Sequence, residues 1–446
     1  MVATVQVAAT NLNEELSCGI LAGCVIAKTG TPLSTNATPS FPAQADAVVI
    51  GAGAFGFSVG YQLARLGAGH VIVIDQYEPG TQVSPKAAGL FKMIQASETK
   101  ARLARLAREI VMGFEVGSGV PMPHVQSGSL FVARTMLHAG MVDAETEDAR
   151  EWGVSLERID GREAQRLCPY IVSDRFAAVY HVHDDLYIEE PRSMLMAYWQ
   201  AGAAQGMQVI GHTPVTGIVT SGGAVSAVET SSGAILTPVV VDAAGVWSRL
   251  IGEMAGVDVP ILPVRHQLRI TAPIEGVETE MPIVRITDAS AYARPARGGL
   301  MYGGFEADPH AIEQIPATGF TLDMVAMDPA LPDRFRSEIK DSIPAIANAA
   351  SQEDRGGLFT MTADGRLLAG PVQSVHGFWV ATGCNGSGFS LSSAVGLCLA
   401  EWIVNGESPV DLSILAPDRF NGSGMSATEL LERSIWQYAN YYTPGA

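Results

Sequence analysis

Gly51-Ala-Gly53-Ala-Phe-Gly56 follows the apolar run "AVVI", and the next apolar run, "HVIVID", closes on Asp75. Between them Val59, Leu63 and Leu66 fall at the core-facing spacing of a helix. The order is therefore strand, glycine turn, helix and a second strand ending in an acid, which is the arrangement that holds a dinucleotide. Gly51 permits the tight turn, Gly53 lets the backbone approach a pyrophosphate, and Gly56 lets helix and strand pack closely. The helix start, with Ala54 and Phe55, offers free N–H groups and positive dipole to the phosphates. Asp75, with Gln76 beside it, can accept hydrogen bonds from ribose hydroxyls, and an acid there disfavours the 2′-phosphate of NADP. FAD and NAD share this fingerprint, so the stretch alone does not separate them.

Other residues of chemical type point elsewhere. Cys18, Cys24, Cys168, Cys384 and Cys398 contain no C-x-x-C pair and are odd in number, which supports neither a disulfide framework nor a zinc site. His181 and His183 in "YHVHDD", with Asp184 and Asp185, have metal-ligating types. With no second ligand cluster beside them a solvated turn is expected, and no metal.

These groups need a large scaffold to position them. A chain of 446 residues is long enough for about two domains. With 47% hydrophobic and 17% charged residues it suits a compact globular enzyme, not a disordered chain. The formal charge of −18 argues against nucleic acid or anionic lipid as partner. Residues 1–45 read as a loosely ordered extension or an over-long start. Their apolar run, Cys18 to Ala27, is about half of what a membrane span needs. No Lys or Arg precedes Cys18, while Glu14 and Glu15 do, unlike a secretory signal or a mitochondrial presequence. No membrane span and a cytoplasmic location are expected.

Nucleotide-domain patterns recur at three separated places. The first is Val48 to Asp75. The second runs from about Met207 to Gly245, with "VTGIVT", "AVSAVET" and "PVVVDAAG" broken by Ser-Gly-Gly and Ser-Ser-Gly turns. The third is "GFWVATGCNGSGFSLSSAVGLCLAEWIV": a strand, a glycine-rich turn at Gly383 to Gly388, and a helix to about Val404. Residues from about Ala101 to Ile159 look mostly helical, and those from about Ile261 to Phe305 look like antiparallel strands. The expected plan is an α/β, Rossmann-like FAD-binding domain of the glutathione-reductase type (46–100, most of 161–258, and 351–420). It is interleaved with an α+β substrate domain built on an antiparallel sheet (101–160 and 259–350). An amphipathic aromatic tail at 421–446, "LLERSIWQYANYY", is expected to cover the pocket or dock on the core.

The late glycine turn favours flavin, because an extended FAD must also be held at its isoalloxazine and ribityl end. Here the chain resembles the FAD-dependent D-amino-acid-oxidase superfamily, in its branch of sarcosine and dimethylglycine oxidases or dehydrogenases and glycine oxidase. Four segments carry the resemblance: the Gly51 turn with Asp75; "SPKAAGL"; "VVVDAAGVWS"; and "TADGRLLAGP" with "FWVATGCNGSGFSLSSAVG". "PVRHQLRIT" and "SAYARPARGGLMYGGFEADP" add the substrate-domain sheet.

The resemblance implies that Gly51, Gly53, Ala54, Phe55, Gly56, Asp75 and Gln76 hold the ADP half of FAD. Lys86, Ala87, Ala88 and Gly89 would pass the flavin, Val215 would lie by the adenine, and Ala244 and Gly245 would approach the pyrophosphate. Gly383, Asn385, Gly386, Gly388, Phe389 and Ser390 would lie by the ring and ribityl chain. Lys86 and Gly357 stand where family members carry a histidine or cysteine bonded covalently to FAD, so noncovalent FAD is expected, with Cys384 a packed residue. Ser390 replaces a lysine and Leu268 a tyrosine of related members.

The implied reaction is oxidation of the C–N bond of a small secondary or tertiary amine or amino acid, an N-methyl glycine-like substrate being favoured. Hydride passes to flavin N5 and the imine is then hydrolysed. Arg294 in "AYARP" is the first candidate for a substrate carboxylate, since its planar fork suits one; its alternative is a salt bridge. Tyr292 and Tyr302 either hydrogen-bond the substrate or pack in the sheet. His266 in "RHQ" either tunes the amine's proton or is a satisfied structural residue. A 2-hydroxy-acid dehydrogenase on the same fold, and a flavin-binding subunit of a hetero-oligomer, are the competing readings. Oxygen and an unidentified carrier both stand as electron acceptors, and an oligomer is compatible with the sequence.

Overall fold

The computed structural model describes residues 41–443. Ala47–Ile50 and Val71–Ile74 are short, wholly apolar and wholly buried, as strands covered on both faces must be. They lie side by side in a six-stranded sheet ordered Leu368–Pro371, Phe378–Thr382, Val240–Asp242, Ala47–Ile50, Val71–Ile74, Gln208–Ile210. All neighbours are parallel except the pair formed by Leu368–Pro371 and Phe378–Thr382. Helix Ala54–Arg65 makes the first crossover and packs against Gly388–Asn405 and Arg192–Ala204. Gly388–Asn405 is long and apolar enough to cross a membrane, yet it lies against Ala54–Arg65 and Glu98–Ser118 with most of its residues buried.

Val215–Ser221, Ala224–Thr230 and Gly233–Leu236 form a separate antiparallel meander, turned at the two glycine-containing breaks. Of the expected N-terminal extension, residues 1–40 lie outside the described residues. Gln44, expected to be loose, bridges Leu236 on the edge of the meander.

The second large sheet has eight strands in the order Ser351–Met361, Leu262–Thr271, Gly299–Gly304, Ala291–Ala296, Ile283–Ile286, Ser129–Ala133, Ala178–Val182, Leu156–Arg158. One face turns to the six-stranded unit; the other is covered by helix Leu331–Ile339. Two expected boundaries therefore move. Ala178–Val182 belongs to this sheet, and the nucleotide-side chain resumes only at Arg192. Ser351–Met361 also belongs here: its 11 residues pair along Leu262–Thr271, although the polar half, "SQED", gives no strand signal by itself. Ser129–Ala133 is a buried strand inside the stretch expected to be mostly helical.

Candidate active site

A cavity of about 250 Å3 lies between the two sheets. Its dinucleotide side is built by the first turn. Gly51 has φ of 102°, and a Cβ there would come within 2.5 Å of the Ala243 carbonyl oxygen. Gly56 approaches still more closely: its Cβ would lie 1.7 Å from the Gly51 oxygen. Gly56 itself does not line the cavity; it sets the turn from behind. Helix Ala54–Arg65 starts at Gly53 with no side-chain cap, and only Ala54 N–H is engaged there, by Ser84 Oγ at 3.0 Å. An uncapped helix start opening into a cavity is a ready anion site. Asp75 is braced just past the end of Val71–Ile74: its Oδ2 accepts from Ala52 N–H and its Oδ1 from Tyr77 N–H, each at 2.8 Å. Burial raises its pKa, and the two N–H groups pull it back. Gln76, Val215, Ala244 and Gly245 complete this wall. These residues fit an FAD pyrophosphate and ribose.

Farther along, Lys86, Ala87, Ala88 and Gly89 line the cavity, as do Gly386, Gly388, Phe389 and Ser390. Asn385 and Gly383 do not. Asn385 holds φ of 42°, donates to the Gly383 oxygen at 2.7 Å and accepts from Thr362 N–H at 2.9 Å, so it shapes the turn from outside. Cys384, expected to be packed, is half buried and lines the cavity, its Sγ accepting from Thr360 N–H at 3.3 Å. The two positions occupied by covalent attachment residues in related proteins are neighbours: a Cβ on Gly357 would lie 3.6 Å from Lys86 Cβ.

His266 and Tyr292 meet on the substrate side. His266 Nε2 lies 2.8 Å from Tyr292 Oη, its Nδ1 2.9 Å from Tyr438 Oη, and its ring stacks on Phe359 at 4.4 Å between centroids. Burial pushes its pKa down to about 3, so it is neutral. A neutral imidazole carries one N–H. The ring therefore donates to one of the two tyrosine hydroxyls and accepts from the other.

Unfolded, His266 takes up a proton near pH 6.5; folded, it resists one down to about 3. Between these values the unfolded chain binds more protons, so stability falls as pH falls. A His266→Gln variant, although less stable at pH 7, should lose Tm less steeply than the parent from pH 6.5 to 5 in scanning calorimetry. Parallel curves would refute the assignment.

Arg285, which sequence reasoning missed, faces the same space. It pairs in register with Tyr292 across adjacent strands and is 2% exposed. Its Nη2 reaches Asp185 Oδ2 at 3.0 Å, while its Nε has no partner. Asp185 is fixed in turn by Met93 N–H at 2.8 Å and Ser129 Oγ at 2.7 Å. Asp185 is therefore not part of a solvated turn: it is 1% exposed. Asp184 stays outside, paired with Arg108 at 3.0 Å. His181 and His183 bring their ligand atoms within 4.8 Å of Glu157 at the edge of the large sheet, away from the cavity. A signal for Arg285 existed: a lone arginine in the apolar strand "IVRI" must be buried and must find an acid.

Two expected site residues are corrected. Arg294 is fully buried, but its Nε, Nη1 and Nη2 donate to the carbonyls of Ala88, Pro295 and Glu189 at 3.0, 2.7 and 3.1 Å, and its guanidinium lies 4.5 Å over the Tyr187 ring. It does not line the cavity; it clamps the Ala88 loop that does. Tyr302 stands opposite Ala293 and Arg269 in the sheet, one step out of phase with Tyr292, and faces the helix-covered side. The aromatic tail covers the pocket as expected. Tyr441 and Tyr442 line the cavity, and Tyr441 stacks on Phe305 at 4.1 Å.

Residues 46–402 match the family described as "DAO: FAD dependent oxidoreductase". The chain is 30% identical over 413 residues to mitochondrial sarcosine dehydrogenase of Mus musculus, an alignment covering 90% of this chain and 44% of that one. It is 29% identical to the formaldehyde-forming 4-methylaminobutanoate oxidase of Paenarthrobacter nicotinovorans, covering 85% and 46% respectively. The chain thus spans about half the length of these curated relatives. In fold it is similar to L-proline dehydrogenase from P. horikoshii, with a TM-score of 0.78, 24% identity, and coverage of 86% of this chain and 100% of that one. The uncapped glycine turn, the braced Asp75 and this match over most of the chain agree, and the chain belongs to the DAO family of FAD-dependent oxidoreductases.

Proposed function

We propose that the protein oxidises the C–N bond of a small secondary or tertiary amine that carries a carboxylate. Bound FAD supplies the hydride acceptor. The observation that carries the reading is Arg285: a buried guanidinium at the cavity wall, held from behind through Nη2 by Asp185. It would take the substrate carboxylate, with the Tyr292 hydroxyl on the same wall as a second polar group. Hydride leaves only from a neutral amine. Lys86, Lys92 and Arg285 among the lining residues disfavour an ammonium, and neutral His266 adds no charge to attract one. Phe305, Phe359 and Tyr441 would shield the N-alkyl group from water.

Oxidation of a 2-hydroxy acid would instead need a base for the hydroxyl proton. Among the described lining residues the sole carboxylate is Asp75, braced on the dinucleotide side, and both nitrogens of His266 are engaged by tyrosines.

The test is a visible spectrum, acid precipitation, and anaerobic mixing with N-methyl amino acids, D-amino acids and 2-hydroxy acids. Yellow colour released to the supernatant, with bleaching by an N-methyl amino acid, is expected. Colour retained in the pellet would overturn noncovalent binding. Bleaching by hydroxy acids alone would overturn the amine reading, and a protein bleached by none would behave as a flavin subunit awaiting a partner.

A further inference from the structure

We propose that a second, polar cavity beside the first is an antechamber that receives the zwitterion of a small amino acid. It has a volume of about 120 Å3 and shares Lys92, Ser387 and Tyr441 with the main cavity as common walls. On its other side it reaches solvent, where Asp148 is exposed.

The lining is balanced in charge. Lys92 and Lys100 supply two ammonium groups; Glu145 and Asp148 supply two carboxylates. Lys92 lies over the Phe131, Tyr441 and Tyr442 rings, 5.2, 5.7 and 5.3 Å from their centroids, but the hydrogen bonds of both ammonium groups are long. Lys100 is only 8% exposed, yet its Nζ meets just the Gly365 carbonyl, at 3.5 Å. Lys92 reaches Glu145 at 3.4 Å, long for an ion pair of direct hydrogen-bonding type. A buried cation with so slack a bond is costly unless an anion completes it. Burial brings Lys100 down to about 8, which still leaves it mostly charged at neutral pH.

A zwitterion fits both halves: its carboxylate would bridge Lys92 and Lys100, and its ammonium would face Glu145 and Asp148. The main cavity has the opposite preference, with cations and aromatic rings that favour a neutral amine. Resting on the amine-oxidation reading for its destination, the zwitterion would give up its ammonium proton to solvent past Asp148 and move by Tyr441 to Arg285.

The experiment uses the full chain with its FAD and fills the chamber from outside. Ala144 is exposed and lines this chamber alone. Ala144→Trp should weaken glycine binding, measured by calorimetry, at least tenfold. It should lower kcat/KM for N-methylglycine by a similar factor, while the limiting rate of anaerobic flavin reduction stays within twofold. Asp148→Asn, a surface change that spares folding, should weaken glycine binding several-fold and carries the test if the tryptophan variant loses its flavin. Glycine binding and kcat/KM unchanged in both variants would overturn the antechamber. If no N-methyl amino acid reduces the parent protein, the amine reading fails; glycine binding still lost in Ala144→Trp would then uphold the chamber as a zwitterion site.

Discussion

Replacing Arg285 with lysine should lower kcat/KM for a carboxylate-bearing amine by about 100- to 1,000-fold, roughly 3–4 kcal/mol of transition-state binding. The flavin spectrum should be unchanged. Lysine keeps a positive charge for Asp185 but has no planar fork to serve that acid and a substrate carboxylate together. The loss should shrink to a few-fold for an N-methyl amine without a carboxylate, because that substrate never used the fork. Methionine would be a poorer test: it would strand Asp185, which is 1% exposed, at a cost of about 3–5 kcal/mol in stability. Arg294→Lys is the matched control. Its guanidinium serves three carbonyls, so the variant should lower Tm and leave substrate discrimination intact. A large discrimination change in Arg294→Lys with none in Arg285→Lys would reverse the assignment of the two arginines.

That reversal marks where sequence reading stopped. The dinucleotide half was legible because its parts are local: glycines, helix and acid fall within one strand–helix–strand unit, and their spacing fixes their geometry. The substrate half depends on pairings across long separations. Arg294 and Tyr292 alternate onto the same face, as expected for a strand, but Arg294 is captured by carbonyls 206 and 105 residues away in sequence. Tyr302 fell on the wrong face because its register against Ala293 is set by the hairpin and not by its own surroundings. Asp185 follows a half-buried histidine, an exposed histidine and a half-exposed acid, and it is turned inward by Met93 N–H, Ser129 Oγ and Arg285, 92, 56 and 100 residues distant. The tail was legible as a cover from its amphipathic pattern, but nothing local indicated that Tyr438 would bond His266.

The dinucleotide turn allows the other large effect to be stated. Gly56→Ala should yield protein that purifies without its yellow colour. The added Cβ would lie 1.7 Å from the Gly51 carbonyl oxygen and 2.9 Å from its carbon, both backbone atoms that cannot rotate away. Relief requires moving the turn, which Gly51 N–H ties to the Ile74 oxygen at 2.7 Å. Overpacking of this kind costs about 1–3 kcal/mol and more where backbone must shift. Applied at a cofactor cradle, that is a loss of roughly ten- to several-hundred-fold in FAD affinity. The added stability that bound FAD confers should disappear with it, lowering Tm further. Gly113→Ala separates this from a general effect of removing glycine: Gly113 lies exposed in helix Glu98–Ser118 with nothing near its Cβ position, so alanine should stabilise the helix by up to about 1 kcal/mol and keep the colour. Flavin absorbance per mole of protein in the two purified variants decides the matter. Parental absorbance in Gly56→Ala would mean that the close approach of turn and helix is not what shapes the FAD site.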